Sequence, residues 1–454
     1  MDVYSNILDM VGKTPMLEVT NIDTGPCRLF LKLELMNPAG SIKDRIGISM
    51  IEEAERRGDL KPGDTIVEAT AGNTGLGLAL VAARKGYPLI LVLPDKMSQE
   101  KIFNLRAMGA EVVLTRSDVA KGHPEYYQDL GKRIAEERGA YFINQFGNPD
   151  NPLAHERTTA PEILSQLDGN VDAVVVGVGS SGTVSGMSRY FAEHAPDLEL
   201  VLADPVGSIL ADYINEGELH EKNAGWLVEG IGEDFIPPIA DFSRVKKAYS
   251  ITDAESFSAA RELLRKEGLL AGSSSGTLLS AALKYCHDQT EAKNVVAFAC
   301  DTGNKYLSKL YNDFWLEDQG FLQREGHGDL RDLIGRRHDE QATITVGPGD
   351  VLTTAHNRLR NAGISQLPVM KDGSLVGIVD EDAIIQHVFG DPELMNSPVR
   401  DAMQSAFIRL DKDTSINNLV AMLHVQPYAA IMEGDTFLGL ITRADVLNHL
   451  RKQL

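Results

Sequence analysis

Residues 171–186 read VDAVVVGVGSSGTVSG, an unbroken apolar run followed directly by a turn rich in glycine and serine. The same order of apolar run, polar turn and amphipathic stretch recurs along much of the chain, for example at TIVEAT (65–70) and NVVAFA (294–299). Short unbroken apolar runs between helix-like stretches are typical of parallel strands buried on both faces. The sequence therefore predicts an α/β fold with its ligand site beyond the carboxyl ends of the strands.

Composition and charge narrow the class of protein. The chain has 454 residues, of which 43% are hydrophobic and 24% charged, as in globular proteins of two or three domains. It has 65 acidic and 44 basic side chains, and the net charge of −21 disfavours nucleic acid as a partner. Its apolar runs are shorter than the roughly 20 residues that span a bilayer. We expect a cytoplasmic protein that does not enter a membrane.

The N-terminus and the cysteines agree with that location. The start, MDVYSNILDMVGKTP, lacks a basic segment followed by an apolar one, so no secretory signal is predicted. The three cysteines, Cys27, Cys286 and Cys300, lie far apart without CxxC or metal-ligand spacing. They predict neither a disulfide framework nor a metal site, as in a reducing compartment.

An internal repeat follows the α/β region. LPVMKDGSLVGIVDEDAI (367–384) and YAAIMEGDTFLGLITRADVL (428–447) share an apolar pattern, a turn and a following helix. Neither unit could bury its apolar face alone, so we expect the two to pair. A polar, charged stretch after Tyr311 predicts a linker before the repeat. The predicted domains are a catalytic domain at 1–315, a linker at 316–340, and two modules at 341–395 and 396–454.

The first motif with possible chemistry is KLELMNPAGSIKDRIG, residues 32–47. It sets Lys43 between a Gly-Ser turn and the apolar start of a helix. Lysine forms a Schiff base with an aldehyde cofactor, and burial at a helix start lowers its pKa and raises its nucleophilicity. Taken alone, the position is more typical of a surface lysine.

Two further turns offer polar groups to a ligand. In EATAGNTGLG (68–77), backbone N–H groups suit a carboxylate, and the Asn73 amide suits a phenolic oxygen. In LLAGSSSGTLL (269–279), the neutral hydroxyl of Ser274 suits a pyridine nitrogen without holding it protonated. The alternative for both is an ordinary helix cap after a βα turn.

The turn at 177–182 allows two interpretations. Gly177, Gly179 and Gly182 spell G-x-G-x-x-G after a strand, and Asp204 ends the next apolar run. This spacing is also typical of a dinucleotide site, which makes a nicotinamide-dependent dehydrogenase a rival. However, the hydroxyl groups of the loop suit a terminal phosphate better than a bridging pyrophosphate. We therefore favour a monophosphate ligand.

Together and in this order, the four motifs resemble the fold-type II family of pyridoxal 5′-phosphate (PLP) enzymes, in its branch of cystathionine β-synthases and cysteine synthases. The likeness extends from VGKTPMLEV (11–19) to ACDTGNKYLS (299–308). EGIGEDFIP (229–237) is similar to the cystathionine β-synthase form of that segment. The resemblance implies a tryptophan synthase β-like fold of two α/β subdomains. The C-terminal repeat resembles a tandem CBS-domain (Bateman) module.

The resemblance also implies roles for residues at matching positions. Lys43 would be the catalytic, Schiff-base lysine, Asn73 the ligand of the ring hydroxyl and Ser274 the partner of the pyridine nitrogen. The implied phosphate loop consists of Gly179, Ser180, Ser181, Gly182 and Thr183. The implied substrate-binding residues are Thr70, Ala71, Gly72, Asn73, Thr74, Gln145 and Gly230.

The implied reaction is a β-replacement that condenses L-serine, or an activated serine, with L-homocysteine to give cystathionine and water. The alternative within the family is the formation of cysteine from O-acetylserine and sulfide. The chain begins close to the catalytic domain, without the Cys and His ligands of haem-binding members, so we expect no haem. We expect a homodimer or a higher homo-oligomer.

Three positions depart from the family pattern. Ala71 replaces a frequent serine, Phe146 replaces a frequent tyrosine, and Glu233 stands where animal cystathionine β-synthases carry tyrosine. The first departure removes a hydroxyl near the substrate, and the other two leave the contacts with the second substrate open.

The two repeats differ at one pair of positions. In GLITRAD (439–445), Thr442 and Asp445 match the G-x-x-T-x-x-D pattern of CBS domains, in which the hydroxyl meets a phosphate or sugar oxygen and the carboxylate accepts from ribose. Asp380 and Ala383 occupy these positions in the first repeat. The sequence thus predicts one site for an adenosine-type effector, and the family resemblance implies S-adenosylmethionine as that effector. The alternative is a pair that only dimerises.

Overall fold

The structure is a computed structural model that describes residues 3–70, 72–95, 97, 99–119, 122–219, 225–323 and 326–451. The chain divides into two compact units, Met1–Tyr311 and Asn312–Leu454. Within the described ranges, no helix is both long and apolar enough to cross a membrane.

Strands and helices alternate through the first unit. Its strands are β1 (Met16–Glu18), β2 (Arg28–Lys32), β3 (Ile66–Ala69), β4 (Leu89–Pro94), β5 (Glu111–Thr115), β6 (Tyr141–Phe142), β7 (Ala173–Gly177), β8 (Glu199–Pro205), β9 (Val245–Ile251) and β10 (Asn294–Phe298). Its helices are α1 (Lys43–Arg57), α2 (Asn73–Lys85), α3 (Gln99–Ala107), α4 (Tyr127–Arg138), α5 (Asp150–Ala154), α6 (Ala160–Gln166), α7 (Gly182–His194), α8 (Leu210–Glu216), α9 (Asp253–Glu267) and α10 (Ser273–His287).

The larger sheet of this unit has the strand order β1-β2-β10-β7-β8-β9. Its neighbouring strands are parallel except for β1, which runs antiparallel to β2. Central residues such as Val174, Val175 and Leu202 have no exposed surface. Burial on both faces of the sheet explains why these strands are unbroken apolar runs rather than alternating ones.

The smaller sheet has the order β5-β4-β3-β6 and is parallel throughout. Apolar side chains of α1, α2 and α3 pack with its inner strands into one core, which includes Ile46, Met50, Leu78, Leu91 and Leu105. Two sheets with their helices make two α/β subdomains. The predicted fold class is therefore confirmed for the first unit.

Helices α1 and α2 touch backbone to backbone. A Cβ added to Gly47 would lie 2.6 Å from the Gly77 carbonyl carbon, and one added to Gly77 would lie 2.5 Å from the Lys43 carbonyl oxygen. No side chain fits between the helices at this crossing, so both positions require glycine. The contact brings Lys43 and Asn73, the first residues of the two helices, to the same cavity.

A buried ion cluster anchors α1 to the larger subdomain. The Arg45 guanidinium lies 2.8 Å from carboxylate oxygens of both Glu34 and Glu162, and the Lys32 amine lies 2.8 Å from Glu162. Buried charges are tolerated when each is paired and hydrogen bonded, as these are. The cluster therefore holds the start of α1 against β2 and α6.

The second unit contains the sequence repeat. Its strands are β11 (Gln366–Lys371), β12 (Ser374–Asp380), β13 (Arg409–Asp411), β14 (Tyr428–Glu433) and β15 (Thr436–Thr442). Its helices are α11 (Asp313–Asp318), α12 (Leu352–Ala362), α13 (Glu381–Val388), α14 (Ile416–Val425) and α15 (Arg443–Arg451). Each repeat is an antiparallel hairpin followed by a helix, and the two hairpins carry a register shift at matching places, Val369/Met370 and Ile431/Met432.

The structure differs from the predicted linker at 316–340. Leu330, Leu333 and Ile334 are buried in a core with residues of β14, β15 and α15. This segment is therefore part of the second unit, because its apolar side chains complete the core of the second repeat. The boundary between the units lies after Tyr311 rather than at residue 315.

The helix crossing leads to a stability prediction. Gly77→Ala forces a methyl group into the contact with the Lys43 carbonyl, and we expect it to lower the free energy of unfolding by about 2 kcal/mol. Because α1 must shift, cofactor retention should fall as well. Denaturant unfolding and the cofactor absorbance of the purified protein measure the two effects.

Gly349→Ala is the matched control, since no atom lies within 4 Å of the added Cβ. Its stability should stay within about 0.5 kcal/mol of wild type. Equal stability of Gly77→Ala and wild type would contradict the role given to the crossing.

Candidate active site

A cavity of about 560 Å³ lies at the carboxyl ends of strands from both sheets. Its lining includes residues at or just after the ends of β3, β4, β7 and β10. The residues singled out in the sequence that line it are Lys43, Thr70, Gly72, Asn73, Thr74, Gln145, Gly179, Ser180, Thr183, Gly230 and Ser274. Ser181 and Gly182 belong to the adjoining loop, and Ala71 lies outside the described residues.

Lys43 is the first residue of α1, and its backbone N–H donates to the Ser41 hydroxyl at 3.2 Å. Its side chain keeps some accessible surface, which faces the cavity, although protein atoms enclose it. This burial lowers the pKa of Lys43, against the opposing influence of Cys300 and Glu233. A lysine with a lowered pKa supplies a neutral amine, the form that acts as a nucleophile or base.

Asn73, the first residue of α2, is held at both ends of its amide. It donates to the Asp301 carboxylate at 2.8 Å and accepts from the Lys305 ammonium at 2.8 Å. Lys305 also donates to the backbone carbonyls of residues 39 and 40, and the Tyr306 hydroxyl donates to Asp301 at 2.7 Å. These partners orient the Asn73 side chain in the cavity.

The turn before α2 is tied to the segment after β6. The Thr74 hydroxyl donates to the Gln145 side-chain oxygen at 2.7 Å, and the Gln145 amide donates to the Ala69 carbonyl at 3.3 Å. The Gly72 N–H donates to the Thr70 hydroxyl at 3.1 Å. Two separate chain segments thus form one polar wall of the cavity.

The loop that begins α7 forms a tight cradle. Ser181 adopts a left-handed conformation with φ of 67°, and a Cβ on Gly182 would lie 1.8 Å from the Asn151 side-chain oxygen. The Asn151 amide donates to the Ser180 hydroxyl at 3.0 Å. Thr183 lies 3.3 Å from the His155 ring, whose pKa burial lowers well below its usual value. N–H groups at such a helix start suit an anion.

At the opposite wall, α10 begins at Ser273 with three consecutive serines. Ser273 accepts from the Glu229 N–H at 3.1 Å, and Ser275 accepts from the Cys300 N–H at 2.9 Å. Ser274, between them, lines the cavity with its side chain beside Cys300. Burial raises the pKa of Cys300 to about 12, so its thiol stays protonated near pH 7. The neutral Ser274 hydroxyl can donate or accept.

The donor set fits pyridoxal phosphate. Asn151 and Gly182 form a cradle that a Cβ would fill, and its N–H groups suit the phosphate. An amine, an amide and a hydroxyl face the cavity at Lys43, Asn73 and Ser274, matching the aldehyde, the phenolic oxygen and the ring nitrogen in chemical type.

Several site residues were missed in the sequence. Asn151 and His155 lie in a segment with no motif, and Asp301 and Lys305 lie beyond the Ser/Gly turns. The only sequence signal for the last two was their place in ACDTGNKYLS, directly after a buried strand. Polar residues at that place are expected to reach the ligand site of a parallel sheet.

Comparisons with known proteins agree with this geometry. Residues 7–301 match the family model described as pyridoxal-phosphate dependent enzyme, and residues 340–390 match the CBS domain. The chain is 35% identical to a cystathionine beta-synthase of Apis mellifera, over 99% of this chain and 91% of that protein. It is 42% identical to cysteine synthase A of Escherichia coli, over 68% of this chain and 96% of that protein.

Among solved structures, the chain is similar to an O-acetylserine dependent cystathionine beta-synthase from Helicobacter pylori, with a TM-score of 0.63 and 39% identity. That match covers 68% of this chain and 99% of the other. The family match removes the nicotinamide-dependent dehydrogenase as an alternative, and the cofactor is PLP. By its catalytic unit, its CBS domain and its full-length relatives, the chain belongs to the cystathionine β-synthase family of PLP-dependent enzymes.

Proposed function

We propose that this chain joins L-serine, or an activated serine, to L-homocysteine by β-replacement and releases cystathionine, together with water from serine or the leaving group of the activated serine. The observation that carries the proposal is that the Lys43 amine, the anion cradle before α7 and Ser274 line one and the same cavity. The full-length match supports cystathionine as the product, since cysteine synthase A covers only 68% of the chain. Cysteine synthesis from O-acetylserine and sulfide is the second candidate, favoured by that 42% identity.

In the proposed mechanism, Lys43 performs the proton transfers. Bound PLP supplies an electron-withdrawing ring that acidifies the substrate Cα–H. The Lys43 amine takes the Cα proton and later returns it on the same face, because α1 holds this side chain in one place. Its lowered pKa favours the neutral amine, the form that can accept a proton.

Other groups of the chain bind the substrate and the cofactor in this proposal. Backbone N–H groups of the 72–74 turn, with Thr74 and Gln145, bind the carboxylate of the first substrate in this proposal. The loop 179–183 binds the cofactor phosphate. Asn73, fixed by its hydrogen bonds to Asp301 and Lys305, orients the ring.

We further propose a cytoplasmic homo-oligomer. Cys27, Cys286 and Cys300 are free thiols, as in a reducing compartment. Phe389 and Val425 of the second unit are 87% and 81% exposed, which gives apolar surface that a second copy can cover.

We also propose that the second repeat binds an adenosine-type effector such as S-adenosylmethionine. The Asp445 carboxylate accepts from both the N–H and the hydroxyl of Thr442, at 2.7 and 2.6 Å, at the start of α15. In the first repeat, Asp380 instead caps its own helix through the Ala383 N–H at 2.8 Å and accepts from the Tyr428 hydroxyl at 3.1 Å. This asymmetry supports one site per chain.

The substrate pair distinguishes the two catalytic candidates. Serine or O-acetylserine with homocysteine should give cystathionine, and O-acetylserine with sulfide should give cysteine at a lower kcat/KM. Product identification by mass spectrometry with each pair decides between them. If only cysteine forms, the second candidate replaces the first.

Lys43→Ala should lower kcat by about a thousandfold or more, because it removes the base that moves the Cα proton. Borohydride treatment of wild type should leave the cofactor covalently attached to the peptide that contains Lys43. Lys61→Ala, an exposed lysine of the same unit, is the control and should keep wild-type kcat. Substantial turnover by Lys43→Ala would refute the assignment.

Asp445→Ala should weaken effector binding by about tenfold, the loss of one charge-assisted hydrogen bond. Calorimetric titration of the full chain with S-adenosylmethionine, AMP and ATP measures affinity and stoichiometry. Asp382→Ala, which removes an exposed carboxylate in the first repeat, is the matched control. Binding of none of the three nucleotides, or binding indifferent to Asp445, would reject the site.

A further inference from the structure

The wall of the catalytic cavity carries a cluster of two lysines and one glutamate at one place. The Glu229 carboxylate lies between the ammonium groups of Lys101 and Lys309, with Lys309 at 2.6 Å. Burial acts to raise the pKa of Glu229, but the two lysines outweigh it and lower the pKa. All three residues line the cavity, so this part of its wall consists of charged side chains.

A second place in the same cavity carries acidic side chains. Glu233 and Asp234 line the cavity, and buried Asp204 and Lys43 are close enough to interact with Glu233 electrostatically. The charged neighbours that act on Glu233 are thus two carboxyl groups and one amine. Burial raises the pKa of Glu233 well above its usual value, and the nearby Asp234 carboxylate raises it further. A cationic ligand group would relieve this repulsion.

Hydrogen bonds hold the backbone of Glu233 in place. Its N–H donates to the Ser208 hydroxyl at 3.1 Å, and its carbonyl accepts from that hydroxyl at 3.0 Å and from the Ile209 N–H at 3.0 Å. One carboxylate oxygen lies 4.0 Å from the point where a Cβ on Gly179 would sit. Within the described ranges, no hydrogen bond is donated to this carboxylate.

The two neighbouring acids are less suited to bind a ligand. Asp204 has no exposed surface and accepts from the Ala211 N–H at 2.9 Å. Asp234 is exposed to solvent, where an ion pair contributes little. Glu233 is the acid that is both enclosed and turned toward the cavity, so it is the group best placed to bind a cation there.

We propose that Glu233 is a specificity-determining residue that binds the ammonium group of the second amino-acid substrate. This inference rests on the proposed function, because sulfide, the second substrate of the alternative reaction, has no ammonium group. A cavity with two lysines at one place and the acidic side chains of Glu233 and Asp234 at another complements a zwitterion. Discrimination arises because a thiol without the ammonium leaves Glu233 enclosed and unpaired.

The test compares homocysteine with 4-mercaptobutyrate, the same thiol without its amino group, at a saturating concentration of the first substrate. In Glu233→Gln, the KM for homocysteine should rise by about 10- to 100-fold, the loss of one enclosed charge pair. The KM for 4-mercaptobutyrate should change by less than about twofold, and so should the KM for the first substrate. Glu233→Asp should recover part of the homocysteine affinity.

Glu193→Gln makes the same charge change at an exposed position on α7 and should leave every KM at its wild-type value. Cofactor absorbance and the unfolding midpoint show whether Glu233→Gln is folded, and Glu233→Asp takes its place if it is not. The inference is overturned if Glu233→Gln raises the KM for both thiols equally, or leaves the KM for homocysteine unchanged. In that case cystathionine formation by wild type still upholds the proposed function. If wild type makes no cystathionine, both are overturned.

Discussion

The backbone contact between α1 and α2 is the constraint on which the catalytic site depends. Lys43 and Asn73 are the first residues of these helices, and the crossing at Gly47 and Gly77 leaves no room for a side chain between them. The first residues of α1 and α2 are therefore closer together than they would be with a side chain between the helices. The Arg45 cluster then ties the same end of α1 to the larger subdomain, so the amine and the amide take defined places in one cavity.

Burial within that cavity sets the charge of its groups. It lowers the pKa of Lys43 and Lys305 and raises that of Glu233 and Cys300, in each case toward the neutral form. An enclosed site can thus offer a neutral amine as a base near neutral pH. A ligand cation beside Glu233 favours the ionised carboxylate, and their attraction is strong because little water screens it. One physical property therefore serves both proton transfer and substrate selection.

Partners contributed from distant segments complete the site. The Asn73 amide depends on Asp301 and Lys305, and the cradle before α7 depends on Asn151. These pairs are separated by long stretches of chain, and no spacing rule connects them. The segment 316–340 could not be recognised from its sequence for the same reason. Its few apolar residues do not predict a core by themselves, and they form one only with the strands of the second repeat.

The sequence by itself determined the α/β class, the turns that reach the cavity and the repeat in the second unit. These features depend on local patterns: apolar runs make strands, and glycine or serine follows where a strand turns into a helix. Tertiary structure alone decided the partners of each side chain and the place of Glu233 beside the cofactor loop in the wall of the cavity. The reason is physical, since hydrogen bonds, burial and pKa depend on atoms within a few ångströms in space, and the fold brings those atoms together from positions far apart in the chain.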